Sequence, residues 1–245
     1  MQVVAVVPTY NEAENLPELL DLLAKAVPGI AVLVVDDDSP DGTADVARRL
    51  ADDGAEVDVL VRVGRRGLGS AYRDGFRRAI DGGADVCVQI DADLSHDPSD
   101  LPALLANIDH GADLAIGSRY VPGGRTESWS WQRRWLSRWG NRYAAGVLGL
   151  AVNDATAGYR AYRAGALEAM GFEDVTAEGY GFQIEMTHRL VRAGGRIVEF
   201  PIEFRDRRAG ESKLSQGIVS EALGLVLRLW VADRRGRRTR RRLSG

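Results

Sequence analysis

Cysteine is all but missing from this 245-residue chain. Cys87 stands alone, which excludes an intramolecular disulfide framework and any zinc site built on several thiolates. Lysine is nearly as scarce: the 32 basic residues include only Lys25 and Lys213. No apolar run approaches the about 20 residues that a membrane-spanning helix needs. The N-terminus, MQVVAVVPTYNE, has no basic lead and meets Pro8 and Asn11 after a short apolar stretch, so it reads as neither a signal peptide nor a span. What remains, 45% hydrophobic and 27% charged, is the balance of a soluble globular protein whose length suits one large domain or two small ones.

The net charge of −3 conceals an asymmetry. Seven arginines (Arg234, Arg235, Arg237, Arg238, Arg240, Arg241, Arg242) crowd the last twelve residues, and without them the rest of the chain stands at −10. An acidic body with a basic tail can bind a cation at one end and an anionic surface at the other. No nucleic-acid reader motif accompanies the tail, so nucleic acid is not the expected partner.

The first half alternates strand and helix patterns. Continuous apolar runs predict strands at Val3–Val7, Ala31–Val35, Val57–Val61, Val86–Ile90 and Leu114–Gly117. Helical spacing predicts helices over Glu12–Ala26, Thr43–Ala51, Gly69–Ile80 and Pro98–Ile108. This order implies an α/β fold with a mostly parallel sheet and helices on both faces. Further helices are expected over Gln132–Leu150, Ala164–Met170, Gly181–Ala193 and Ile218–Val231, and a strand over Arg196–Phe204. With no Pro/Ser-rich linker, one domain over residues 1–215 is expected, followed by an amphipathic helix and basic tail over 216–245.

In such sheets ligands sit beyond the carboxyl ends of the strands. The first strand runs into Pro8-Thr9-Tyr10-Asn11-Glu12, the second into Asp36-Asp37-Asp38-Ser39-Pro40-Asp41-Gly42, and the fourth into Asp91-Ala92-Asp93. So many carboxylates on one edge need a cation or a donor-rich ligand to compensate them. Two acids one residue apart can chelate a hard divalent ion, Mg²⁺ or Mn²⁺, shared with a diphosphate. Asp36 or Asp37 can accept hydrogen bonds from a nucleobase edge, with Tyr10 against base or ribose, whereas Asp38 to Gly42 is turn and helix-cap chemistry. Arg65-Arg66-Gly67-Leu68-Gly69 is either a plain loop or one that turns helix N–H groups toward an anion. Loop packing is the expected role of His96, and His188 can lie on either face of its helix.

Taken together, VVPTYNEAENL (Val6–Leu16), VVDDDSPDGT (Val34–Thr43), GLGSAYRDGF (Gly67–Phe76), DADLSHDP (Asp91–Pro98), GSRYVPGG (Gly117–Gly124), DATAGYRAY (Asp154–Tyr162), GYGFQIEM (Gly179–Met186) and RRAGESKL (Arg207–Leu214) resemble, in this order, the family-2 inverting glycosyltransferases of the GT-A fold, and among them the polyprenol (dolichol) phosphate mannose synthases. The resemblance implies a nucleotide-diphospho-sugar transferase fold with C-terminal amphipathic helices. It implies GDP-mannose bound near Pro8, Tyr10, Glu12, Asp36, Asp37 and Asp91-Ala92-Asp93, with Mg²⁺ or Mn²⁺ on Asp91 and Asp93. Ser95 stands where the family can carry Gln as a third ligand. It further implies an acceptor, a polyprenyl or dolichyl monophosphate, received by Arg119, Arg133, Ser137, Arg207, Ser212 and Lys213. Among these, Arg119, Arg207 and Lys213 act with Asp91 and Asp93 in catalysis, and Lys213 gains weight from the rarity of lysine. Glu185 is expected to orient other groups. The competing readings are a UDP-glucose or other UDP-hexose donor for the same lipid, and a non-catalytic binder of nucleotide or lipid phosphate. Asp91, Asp93, Arg119 and Lys213 occurring together argue against the second.

Four of the five tryptophans fall between 129 and 139. Trp135, Trp139 and Tyr143 recur every four residues with Arg134, Arg138 and Arg142 beside them, a pattern that suits a helix lying among lipid headgroups or one packed on the sheet. The apolar stretch ending at Val231 is too short to span a bilayer. With the basic tail it suits an anchor on anionic lipid or a docking helix for an integral-membrane partner. The expected location is peripheral, at the cytoplasmic face of the cell membrane.

Overall fold

Residues 1–65, 67–206 and 223–235 are described by a computed structural model. Its centre is a seven-stranded sheet in the order β3-β2-β1-β4-β7-β5-β8. Strands β1 (Val3–Thr9), β2 (Ala31–Asp36), β3 (Val57–Val61) and β4 (Val86–Gln89) run parallel. Their apolar runs are continuous because helices cover both faces. Val4 and Val6 of β1 point to one layer, with α3 (Leu68–Asp81) and α7 (Gly179–Arg192), while Ala5 and Val7 point to the other, with α1 (Leu16–Ala26) and α4 (Leu101–Asp109). Helices α2 (Thr43–Asp52), α5 (Trp131–Leu148) and α6 (Ala164–Met170) complete the named layers.

Several boundaries differ from the sequence expectation. Pro8 does not end β1, because it lies in register with Val35 and the strand continues to Thr9. Helix α1 starts at Leu16, since residues 12–15 form a turn in which Asn15 N–H donates to the Glu12 carbonyl. The strand expected over Arg196–Phe204 is two, β8 (Ile197–Pro201) and β9 (Glu203–Phe204), the latter paired with β6 (Arg125–Thr126) in a separate ribbon. Between them Ile202 turns inward against Gly117, where a Cβ would lie 3.1 Å from its side chain.

Strand β7 (Arg160–Arg163) escapes the sequence reading altogether. It lies antiparallel between β4 and β5 (Leu114–Ser118), so the sheet is mixed at its centre. Its arginine-rich sequence hides it from an apolar pattern. Arg160 is nonetheless fully buried, donating to the carbonyls of Ala155, Ala157 and Gln183 and to the hydroxyls of Tyr162 and Thr187. Those bonds fix the segment 154–157, which carries part of the site.

Helix 223–235, here α8, returns to the domain. Leu225 and Val226 are buried, and Leu225 reaches so close to Gly181 that a Cβ there would sit 3.0 Å away. Asp233 receives hydrogen bonds from Arg192 and pairs with His188, which settles the face His188 occupies. Residues 218–222 of the expected helix lie outside the described residues.

Candidate active site

The carboxyl ends of β1, β2 and β4 meet at one edge, as their parallel pairing requires. Asp38 to Gly42 is turn chemistry, as expected: Asp41 receives Thr43 N–H and O–H through one oxygen and Ala13 N–H through the other. Asn11 N–H donates to Ser39 and Glu12 N–H to Thr43, so the loop after β1 is sewn to the loop after β2. Asp36 accepts from Thr9 Oγ1 at 2.8 Å and from Ser39 through both oxygens. Asp37 is bound by Arg62 and by Gly67 N–H. Both carboxylates therefore hold the loops that frame Tyr10 and Glu12, whatever else they contact.

Asp91 and Asp93 follow β4. Tyr72 of α3 donates to Asp91 Oδ1 at 3.0 Å, and Ser95 N–H donates to Asp93 Oδ1 at 3.1 Å. Burial first, then the neighbouring Asp91 charge, pushes the Tyr72 phenol far above its ordinary range, so it is a fixed neutral donor. Ala92, Asp93, Ser95 and His96 are all buried. Burial pushes His96 down to about 4, which leaves a neutral imidazole at physiological pH. Its ring packs against Tyr159 at 5.3 Å and edge-on to Phe204 at 5.2 Å, the loop packing expected of it.

A second cluster lies across Phe204. Arg119, beyond β5, is buried and forks onto Asp154 with two hydrogen bonds of 2.7 Å, adding Thr156 Oγ1 at 2.9 Å. Burial opposes its charge, but the Asp154 carboxylate outweighs this and holds the guanidinium above its usual range. Arg119 lies 5.5 Å from the Phe204 ring and 5.6 Å from that of Trp129. Arg133 of α5 stacks on Trp129 at 4.0 Å and donates to Asp206, which also receives Trp129 Nε1–H. Trp129 thus aligns two arginines. It belongs with the site, whereas Trp131 and Trp135 belong with the surface. Ser137 receives the Tyr120 hydroxyl at 2.6 Å. The segment 203–206 crosses both clusters, with Phe204 between them and Arg205 N–H donating to the Ser95 carbonyl. Trp129, Asp154, Phe204 and Asp206 are contributions to which sequence reasoning gave no role; the tryptophan concentration was a signal for Trp129 and the motif DATAGYRAY for Asp154, and the other two had none. Arg207, Ser212 and Lys213 lie outside the described residues.

The anion that meets the N-terminus of α3 is internal. Glu178 accepts from Gly69 N–H at 2.6 Å and Ser70 N–H at 3.1 Å. Glycines are required there because a Cβ on Gly69 would lie 2.7 Å from the Ala177 carbonyl. Arg65 pairs with Asp74, and Arg66 lies outside the described residues. Glu185 holds the same segment from below by accepting from Thr176 and Ala177 N–H, the orienting role expected of it.

Arg119, Arg133 and Ser137 open onto a cavity of about 130 Å³ whose other walls include Leu136, Trp139 and Tyr143 of α5, Ile184 of α7, and Leu223 and Val226 of α8. On the outside of these helices Trp131, Trp135, Trp139, Leu227 and Val231 are exposed. Arg134, Arg138 and Arg142 are exposed beside them. Trp135 and Trp139 of the aromatic stripe therefore face outward, whereas Tyr143 is half-buried and packs on the core. Among the described residues no helix is long and apolar enough to cross a membrane.

The residues fit a divalent cation shared with a diphosphate. Asp91 and Asp93 offer hard oxygen donors, each with one oxygen already oriented. No group of three His, Cys, Asp or Glu side chains able to hold a metal by itself occurs among the described residues.

The glycosyl transferase family 2 model matches residues 4–171. The chain is 50% identical over 234 residues to the undecaprenyl-phosphate mannosyltransferase of Micrococcus luteus, covering 96% of each. It is 47% identical to the polyprenol monophosphomannose synthase of Mycolicibacterium smegmatis, covering 89% of this chain and 83% of that protein. Its fold superposes with a TM-score of 0.70 on glucosyl-3-phosphoglycerate synthase from Mycobacterium tuberculosis, solved with Mn²⁺, UDP and phosphoglyceric acid, at 20% identity over 94% of this chain and 78% of that one. The fold is the GT-A arrangement expected from the sequence, and the chain belongs to glycosyl transferase family 2.

Proposed function

We propose that this protein transfers mannose from GDP-mannose to a polyprenyl monophosphate, with inversion, at the cytoplasmic face of the membrane. The observation that carries the reading is the closeness of two unlike clusters: Asp91 and Asp93 with His96, whose ring packs edge-on to Phe204, and Arg119 and Trp129, which meet the same ring and with Arg133 open into an apolar groove. The likeness to two mannosyltransferases named for polyprenyl phosphates supports the same donor sugar and acceptor.

The nucleoside lies against Pro8, Tyr10 and Glu12, over the loop that Asp36 and Asp37 hold. Asp91 and Asp93, with Ser95 beside them, would hold Mg²⁺ or Mn²⁺, which when bound would neutralise charge gathering on the departing GDP. The acceptor phosphate is already anionic, its second pKa being about 6, so no strong base is needed. One of its oxygens forms a bond to the anomeric carbon as the bond from that carbon to the diphosphate oxygen breaks. Arg133 and Ser137, with Arg119 behind them, orient the phosphate and offset its charge, a task that the family resemblance also gives to Arg207, Ser212 and Lys213. The isoprenoid chain leaves along the groove between α5 and α8, toward the exposed tryptophans.

The test is a panel of radiolabelled sugar nucleotides with a short polyprenyl phosphate. GDP-mannose is the expected donor, and Asp91→Ala is expected to lower turnover by about 100-fold or more. Turnover of UDP-glucose but not GDP-mannose would overturn the donor assignment. Undiminished turnover by Asp91→Ala would overturn the assignment of the cation.

A further inference from the structure

We propose that the space over Gly158 receives a hydroxyl of the sugar being transferred, so that His96 touches substrate and helps decide which hexose reacts. This rests on the mannosyl-transfer reading above. His96 is only 3% exposed, and its Nδ1 is buried with no hydrogen-bond partner among the described residues. The ring is clamped by Tyr159 and Phe204 and cannot turn to find one cheaply. Its Nε2 points into the space in question: a Cβ built on Gly158 would lie 3.5 Å from Nε2 and 3.3 Å from Asp91 Oδ2. Any side chain at 158 would fill that gap. Gly158 itself is half-buried, so the gap opens outward.

The chemistry of the two walls selects the occupant. A carboxylate oxygen accepts only, and it disfavours a bare anion. With Nδ1 buried and unpartnered, the ring hydrogen belongs on Nε2, which donates into the gap. A hydroxyl satisfies both, donating to Asp91 and accepting from His96. The two sources of a hydroxyl at this place are the sugar and a water on the bound cation. Asp91 Oδ1 accepts from Tyr72, and Oδ2 faces the gap. A site built around a substrate hydroxyl rejects analogues lacking it, because its buried polar groups are then left unpaired.

Two full-length variants test this. His96→Phe keeps the ring and its packing but removes the nitrogens, and Gly158→Ala fills the gap with one methyl group. Each is assayed for kcat/KM with GDP-mannose, for GDP binding with Mn²⁺ by calorimetry, and for fold by circular dichroism. Both are expected to bind GDP with Mn²⁺ within about twofold of wild type while losing about 100-fold in kcat/KM. In a series of GDP-deoxymannose donors, the one lacking the contacted hydroxyl is expected to be as poor for wild type as GDP-mannose is for His96→Phe, with no further loss when the two are combined. Wild-type kcat/KM in His96→Phe would overturn the proposal. A parallel fall in GDP and Mn²⁺ binding would overturn it too, by assigning the gap to cation-bound water. If wild type uses a different sugar nucleotide, it is the donor reading that fails, and the same variants are then judged with that donor.

Discussion

A carboxyl group half-buried beside other carboxylates resists ionisation, and Asp100, at the start of α4, is such a group. Burial, and after it the charge of Asp97, pushes it up to about 6 from an ordinary 3.8. The folded state therefore binds this proton more tightly than the unfolded chain. Stability from Asp100 is complete below pH 3.8 and is lost as the pH rises through 6. Because the side chain is only half-buried, screening reduces the effect to about 1 kcal/mol. Asp100→Asn is expected to match wild type near pH 4 and to melt about 2–4 °C higher at pH 7, as read by calorimetric melting at both pH values. An equal Tm difference at the two values would exclude this account. The same scale shows what a sequence can and cannot say about acids. Asp91 and Asp93 are legible from spacing and position after a buried strand. Asp36, Asp37 and Asp154 look no different on paper, yet their carboxylates are engaged by Ser39, Arg62 and Arg119 from elsewhere in the chain or across a turn. Ionic partners distant in sequence leave no local pattern.

Helix α3 meets the segment before α7 through an unusually close contact, and the contact explains the glycines of GLGS. With Glu178 seated on the N–H groups of Gly69 and Ser70, the Ala177 carbonyl occupies the place a side chain at 69 would need. Gly69→Ala is therefore expected to destabilise the fold by about 1–3 kcal/mol, measured by urea denaturation, since the obstacle is backbone and cannot swing aside. Tyr72 lies one turn along α3 and holds Asp91, so the displaced helix also carries a site residue with it. Destabilisation below 0.5 kcal/mol, roughly the scatter of a surface substitution, would refute the contact. Elements whose apolar pattern is strong, such as β2, β3 and α6, could be placed from sequence nearly to the residue. Strand β7 could not, because its two arginines break the pattern; burying Arg160 is possible only because backbone carbonyls from 155, 157 and 183 converge on it. The division of residues 197–204 into two strands was equally hidden, since Ile202 reads as part of one apolar run until the tight wall at Gly117 is known.

At the scale of the whole molecule the open question is how a protein with no membrane-crossing helix among its described residues reaches a lipid substrate. Helices α5 and α8 both border the groove below Arg119 and Arg133, and both expose large apolar residues: Trp131 at 67%, Trp135 at 62%, Leu227 at 51%. Arg134, Arg138 and Arg142 flank the tryptophans, and a further five arginines follow Arg235 in the sequence. Aromatic rings at the headgroup level, with basic residues around them, bind an anionic bilayer by two terms that salt separates: ring burial is insensitive to it, whereas each basic residue near the surface adds about 1 kcal/mol that screening removes. Replacing Trp131 and Trp135 together by Ser is expected to weaken sedimentation with phosphatidylglycerol vesicles about tenfold at both 0.05 M and 0.5 M salt. Truncation after Arg235 is expected to weaken it strongly at the lower salt and little at the higher. The cut belongs there because Asp233 ties α8 to His188 and Arg192, so a shorter chain would disturb the groove as well as the charge. Both variants should retain transfer to a short, detergent-dispersed polyprenyl phosphate, because neither alters the arginines at the site. Vesicle binding unchanged in the tryptophan variant would mean that this face is not the one turned to the bilayer, and the groove between α5 and α8 would then lose its role as the lipid's route of entry.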